Sequence, residues 1–319
     1  MSLTIPPPTA PMAPEMQDLL ALIRDAGAPP PQDLGVAGAR QTMRERRSAT
    51  QLDPAQRAAV RDLTGGACPM RLYRPSEAPE GTALPALIYL HGGGWTIGDL
   101  EVFDALCHDL AEASGCVVVS VAYRLAPEAP FPAAVDDTIA ALALIHRDAA
   151  DLGIDNRRLA VGGDSAGGNL ATIAAIMTRD AGLTPPLRAQ VLIYPATDAG
   201  GDYASRGENG TGKLLEAATM DWFYDCYVPD AGQRSDWRVS PIRVDSLSDL
   251  PPCWLLTAGH DPLRDEGIAY GVALEQAGIA VDHVHLPDQI HGFITMTRIT
   301  PAAGETVARI AAFLRQTLT

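Results

Sequence analysis

The segment Gly163-Asp164-Ser165-Ala166-Gly167 sets a serine between glycines placed two residues before and two residues after it. An apolar, β-type run, Leu159–Gly162, leads into it, and small helix-forming residues, Ala166 to Met177, lead out. A Gly-x-Ser-x-Gly string in that setting makes a sharp strand-to-helix turn that lifts the serine Oγ above the end of a sheet. The N-terminus of the helix beneath it carries unpaired N–H groups and partial positive charge, suited to an oxygen that becomes negative. On its own the string reads more readily as an ordinary turn; the context and the partners give it weight.

A serine hydroxyl is a weak nucleophile at neutral pH and needs a base within hydrogen-bond reach. The chain has seven histidines. His108 and His146 fall in helical segments and His283 and His285 in a strand. His291, in Asp288-Gln289-Ile290-His291-Gly292-Phe293, follows the last strand and emerges at the same sheet edge as the serine turn, which makes it the best base. A base of this kind needs a carboxylate to fix its tautomer. Asp261, at the end of the strand before, is the first choice, and Asp288 the second. Asp265 and Glu266 read instead as charges on the first turn of a helix. The order Ser165, Asp261, His291 is the Ser…Asp…His order of an α/β-hydrolase. Acyl transfer also needs N–H donors for an oxyanion. Leu90-His91-Gly92-Gly93-Gly94-Trp95 follows a strand directly, and its glycines let backbone N–H groups come close, beside the N–H of Ala166. A phosphate loop is the competing reading, but neither G-x-x-x-x-G-K-[ST] nor G-x-G-x-x-G before a helix occurs.

The elements that must position these groups alternate. Strands are expected at Met70–Arg74, Ala86–Leu90, Cys116–Tyr123, Leu159–Gly162, Ala189–Tyr194, Cys253–Ala258 and Val281–Leu286. Helices are expected at Met16–Asp25, within 38–63 before a first strand, and at 102–114, Phe131–Ala150, 263–277 and 304–317. This order predicts an α/β fold, a mostly parallel central sheet with helices on both faces. Residues 197–238 break the rhythm, with several glycines and then an aromatic helix at Glu216–Val228. A structureless loop of that length is uncommon, and a lid over the sheet edge explains it better. Trp95, Tyr194, Trp222 and Phe223 either line an acyl or alcohol pocket or pack in the core. Arg44-Glu45-Arg46-Arg47 reads as a solvated helix face. The proline-rich stretch 5–14 reads as extended or loose.

Taken together, His91-Gly92-Gly93-Gly94-Trp95, Tyr123-Arg124-Leu125-Ala126-Pro127-Glu128, Gly163-Asp164-Ser165-Ala166-Gly167-Gly168-Asn169, Asp261-Pro262-Leu263-Arg264-Asp265-Glu266 and His291-Gly292-Phe293 resemble the bacterial hormone-sensitive-lipase-like (family IV) carboxylesterases of the α/β-hydrolase superfamily, over roughly residues 70–315. The resemblance implies Ser165, Asp261 and His291 as catalytic triad and Gly93, Gly94 and Ala166 as oxyanion donors. Gly92 would shape the loop, with His91 and Glu128 holding loops in place. It further implies a helical cap formed by about 1–50 plus 197–238, no metal or organic cofactor, a short- to medium-chain ester as substrate, and a possible homodimer. Two other readings share the fold. One is a non-catalytic small-molecule receptor, disfavoured because His291 is present. The other is an amidase or deacetylase using the same triad.

Composition fits these expectations. The 319 residues are 47% hydrophobic and 20% charged, as in a globular domain, and a single domain over 1–319 is expected. The net charge of −15 argues against nucleic-acid binding, which needs a basic stripe. Five scattered cysteines without a C-x-x-C suggest neither disulfides nor zinc. Neither a signal-peptide pattern nor a membrane-spanning apolar run is evident, so a cytoplasmic location is expected.

Overall fold

The computed structural model of the protein describes residues 10–54 and 57–319. Residues 5–9 of the proline-rich stretch lie outside the described residues. Residues 10–13 are non-helical and lead into α1 (Pro14–Asp25), which is followed by α2 (Pro31–Thr50). Both helices start on a proline, whose fixed φ suits the first helical position and whose missing N–H needs no partner there. That start, with a kink at Gly35 (φ 63°), carries α2 further toward the N-terminus than its charge pattern indicates.

Eight strands form one sheet: β1 (Ala59–Leu63), β2 (Met70–Arg74), β3 (Leu84–Leu90), β4 (Val117–Val121), β5 (Ile154–Asp164), β6 (Ala189–Ile193), β7 (Cys253–His260) and β8 (Val281–Ile290). Their spatial order is β1-β2-β4-β3-β5-β6-β7-β8. β1 and β2 join antiparallel, and every pairing from β4 through β3, β5, β6 and β7 to β8 is parallel. β4, Val-Val-Val-Ser-Val, is buried along its whole length, as a β-branched strand covered on both faces must be. Alternation along β3 divides the core in two. Ala86, Ile88 and Leu90 face one layer, and Leu87 and Tyr89 face the other.

The helices fill those layers. α3 (Asp104–Ser114) ends at Gly115 in the left-handed region (φ 72°), and α4 (Ala133–Arg147) and α5 (Ala166–Asp180) follow. Between β6 and β7 lie only the short α6 (Ala204–Glu208), α7 (Ala217–Tyr227) and single turns, so 197–238 contains no strand. α8 (Arg264–Gln276) precedes β8, and α9 (Pro301–Thr317) closes the chain. Leu142, Leu170 and Leu274, from α4, α5 and α8, pack on one face of the sheet. Leu106 and Leu110 of α3 and Ile310 and Leu314 of α9 pack on the other.

Two strands run longer than their apolar runs. β5 begins at Ile154, where polar Asp155 to Arg158 precede the buried stretch, and β8 continues to Ile290 as a half-exposed edge strand. All five cysteines are free, four of them buried and Cys226 half-buried. Among the described residues no helix is long and apolar enough to cross a membrane, and no group of three or more His, Cys, Asp or Glu is disposed to hold a metal ion.

Candidate active site

Ser165 sits between β5 and α5 with φ 56° and ψ −118°, a backbone conformation that costs a non-glycine residue of order 1–3 kcal/mol. The surrounding packing holds it there. A Cβ at Gly167 would lie 1.8 Å from the Leu90 carbonyl oxygen, and one at Gly163 would lie 2.3 Å from the same atom. The turn is pressed against the end of β3, which is why both flanking positions are glycine. The Ser165 N–H donates to the Ile193 carbonyl at 2.9 Å, tying the turn to β6 as well.

Three strand ends bring the polar groups together. Ser165 Oγ is 2.9 Å from His291 Nε2, and His291 Nδ1 is 2.7 Å from Asp261 Oδ2. Asp261 is fully buried, and its Oδ1 accepts from the Leu263 N–H at 2.8 Å, which fixes the carboxylate plane. A carboxylate facing Nδ1 selects the tautomer with the proton there and leaves Nε2 to accept from the serine hydroxyl. The Tyr194 ring lies against the imidazole at 4.6 Å between centroids, behind the ring.

The loop after β3 faces the same point. Gly93 (φ 118°) and Gly94 (φ 57°) both need glycine. A Cβ at Gly93 would meet the Ile97 carbonyl oxygen at 2.2 Å, and one at Gly94 would enter the Phe223 ring at 2.1 Å. Neither N–H is bound to a backbone carbonyl among the described residues. The Ala166 N–H opens α5 and has no partner within the helix. Gly93, Gly94, Ser165, Ala166 and His291 all border one cavity of about 370 Å³. Its remaining wall is mainly apolar and comes from α1, α2, α7, the segment around Leu214, residues 95–103 and Met296.

Several residues support this loop. Asp164 Oδ1 accepts from the Tyr89 hydroxyl and from the Gly92 N–H, both at 2.8 Å, and so pins the loop to the serine turn. Its carboxyl is buried, and that burial pushes its pKa up to about 6. A side chain at Gly92 would put its Cβ 2.3 Å from Asp164 Oδ2. His91 is buried between Tyr123 and Phe103, and burial brings its pKa down to about 4. The imidazole is therefore neutral at pH 7. Its Nδ1 lies 2.8 Å from the Gly92 carbonyl, which can only accept, so Nδ1 carries the proton. Arg40 of α2 donates to the Thr96 and Ala126 carbonyls at 2.9 and 3.0 Å and grips both oxygens of Glu128 at 2.8 and 2.7 Å.

Residues 87–295 match a family model described as the alpha/beta hydrolase fold. The chain belongs to that family. Within it, the chain is 44% identical over 255 residues to an ethyl acetate hydrolase of Pseudomonas putida, covering 80% of each chain. It is 39% identical over 291 residues to the carboxylesterase NlhH of Mycobacterium tuberculosis, covering 89% of this chain and 90% of the relative. Among solved structures, an ester hydrolase from the metagenome of Lake Arreo, in complex with a bipyridine phosphonate derivative, superposes with a TM-score of 0.91 at 43% identity. That match covers 96% of this chain and 98% of the other.

Against this α/β-hydrolase frame, some expected positions fall elsewhere. Asp288 does not reach His291: its carbonyl accepts from the Ala13 N–H, and the chain continues straight through β8 rather than reversing. Trp222 and Tyr194 do not line the cavity. Trp222 packs on Phe223 with ring centroids 5.1 Å apart, and Tyr194 backs His291. Trp95 borders the cavity but is 2% exposed and stacked on Tyr227, whereas Phe223 faces the cavity over Gly94. Glu266 is no surface helix charge. It is buried and accepts from the Thr197 N–H at 2.6 Å and the Asp198 N–H at 3.3 Å, anchoring the start of 197–238. Burial raises its pKa to about 8. The run at 44–47 is only partly a solvated face, because Arg44 pairs with Asp99 while Arg46 and Arg47 stand in the cavity wall. Arg40 lies outside every motif, whereas Asp164 and Glu266 lie inside motifs only as the residue before the serine and as a charge on a first helical turn.

Proposed function

We propose that the protein is a serine carboxylesterase for short- to medium-chain acyl esters. Ser165 is the nucleophile, His291 the base and then the acid, and Asp261 the orienting carboxylate. The observation that carries this reading is the unbroken relay Ser165–His291–Asp261 opening into a largely apolar cavity. His291 Nε2 takes the hydroxyl proton as Oγ attacks the ester carbonyl, and the imidazolium is stabilised by Asp261. The N–H groups of Gly93, Gly94 and Ala166 receive the oxyanion; losing one such donor costs a serine hydrolase about 3–4 kcal/mol. His291 then protonates the departing alcohol, leaving an acyl-enzyme, and activates the water that releases the acid. Residues up to about 50 and 197–238 act as the cap whose apolar side chains bound the acyl chain. Named esterases among the relatives support the reaction class.

Hydrolysis of p-nitrophenyl butyrate by Ser165→Ala tests the assignment. The expected fall in kcat is about 10⁶-fold, as for loss of a serine nucleophile elsewhere. Turnover unchanged in the folded variant overturns it. Parallel rates on an ester and its matched amide separate esterase from amidase.

A further inference from the structure

One wall of the cavity carries positive charge. Ala39, Thr42, Met43, Arg46 and Thr50 of α2 border the cavity at helical spacing, with Arg47 beside them. Arg46 and Arg47 thus stand where the stripe is otherwise apolar or small. Both are half-buried, and neither guanidinium has a hydrogen bond or ion pair to any described residue. Residues 1–9 and 55–56 contain no Asp or Glu. Acids bound to α2 are already engaged. Glu45 holds Gln41, Asp99 holds Arg44, and Glu128 holds Arg40. The one carboxylate in the cavity wall among the described residues, Asp164, is committed to Tyr89 and Gly92.

A chain with a net charge of −15 pairs most of its arginines, yet lines this cavity with two that make no ion pair among the described residues. An unpaired cation beside apolar surface is costly, and burial lowers the pKa of Arg46 with no opposing charge nearby. A bound anion removes that cost, and a guanidinium offers a carboxylate two parallel N–H donors.

We propose that Arg46 and Arg47 bind the carboxylate of an anionic substrate, so that the enzyme prefers amphipathic esters carrying a carboxylate across an apolar spacer from the scissile bond. This rests on the esterase reading above. The carboxylate can belong to the acyl part, as in monomethyl adipate, or to the alcohol part, as in 6-acetoxyhexanoate. Methyl heptanoate and hexyl acetate are the respective neutral counterparts.

The first test compares kcat/KM on each anionic ester with its neutral counterpart, in the wild type, Arg46→Gln/Arg47→Gln and Arg46→Lys/Arg47→Lys. The expected result is a fall of at least about tenfold in the anionic-to-neutral ratio for the glutamine pair, mostly through KM, with partial retention by the lysine pair. Which ester pair responds identifies the part bearing the carboxylate. A ratio equal in all three proteins overturns the proposal. Calorimetry on Ser165→Ala reads the same interaction without turnover. Monomethyl adipate or 6-acetoxyhexanoate should bind about tenfold more weakly after the double glutamine substitution, and equal affinity with and without the guanidiniums is again fatal. Guanidinium-dependent binding in a protein that hydrolyses no ester would overturn the esterase reading and leave the anion site standing.

Discussion

Ser165 keeps its unusual backbone because glycines on both sides let the end of β3 press against the turn. Gly167→Ala must therefore move Leu90 or the turn itself. We expect a loss of about 3 kcal/mol or more in unfolding free energy, as for overpacking against rigid backbone, measured by urea denaturation. Glu266 gives a prediction in pH. Its pKa stands at about 8, above the ordinary carboxyl value, so the folded state holds the proton more tightly than the unfolded state. That contribution is complete below about pH 4.5 and is lost as pH rises through 8. Glu266→Gln keeps an acceptor for Thr197 and removes the titration. Its melting temperature relative to wild type should rise progressively between pH 5 and 9, and a constant offset across that range would refute the account. The serine, the histidine and the aspartate could be picked out because their types and order are tied to strand ends. Glu266 could not, because a carboxylate on a first helical turn looks the same whether it faces water or a buried N–H. The spacing at 44–47 likewise shows charge but not which side chains turn inward.

At the scale of elements, α2 is joined to the loop after β3 through one side chain. Arg40 holds Thr96, Ala126 and Glu128 at once, which ties the helix to the loop that carries the glycines. Arg40→Ala should lower kcat roughly tenfold, ~1.4 kcal/mol in the barrier, with a smaller change in KM. A pure KM effect would show that the link serves binding instead. Arg40→Lys should recover little, because an ammonium cannot span both oxygens of Glu128 and two carbonyls. The strands and helices of the sheet were largely legible, since buried parallel strands are apolar runs between amphipathic helices. Their ends were less so. β5 starts among polar residues and β8 runs along a half-exposed edge, where backbone pairing continues without an apolar signature.

For the whole molecule, the cavity size sets the expected selectivity. A space of about 370 Å³ bounded by α1, α2 and α7 holds a modest acyl chain. Because a pocket of this size encloses most of a small ligand, rates on p-nitrophenyl esters should peak between about four and eight acyl carbons and fall steeply by about sixteen. A preference for emulsified long-chain triglyceride would contradict the cap assignment. The excursion at 197–238 could be flagged from its glycines and missing strands, but not how it is anchored. Asn169 does much of that, donating to the Ala196 and Val239 carbonyls at 2.9 Å each, and its place at the end of the serine motif does not say what it binds.

The hydrogen-bonded chain Ser165–His291–Asp261 is assembled from the ends of β5, β7 and β8, its serine and histidine 126 positions apart. Pairings so distant along the chain form late, after the local helices have appeared. In a refolding experiment the far-ultraviolet helical signal should therefore return before hydrolysis does. A chain released before its last strand lacks His291 and would be silent, which makes turnover a stringent gauge of complete native structure.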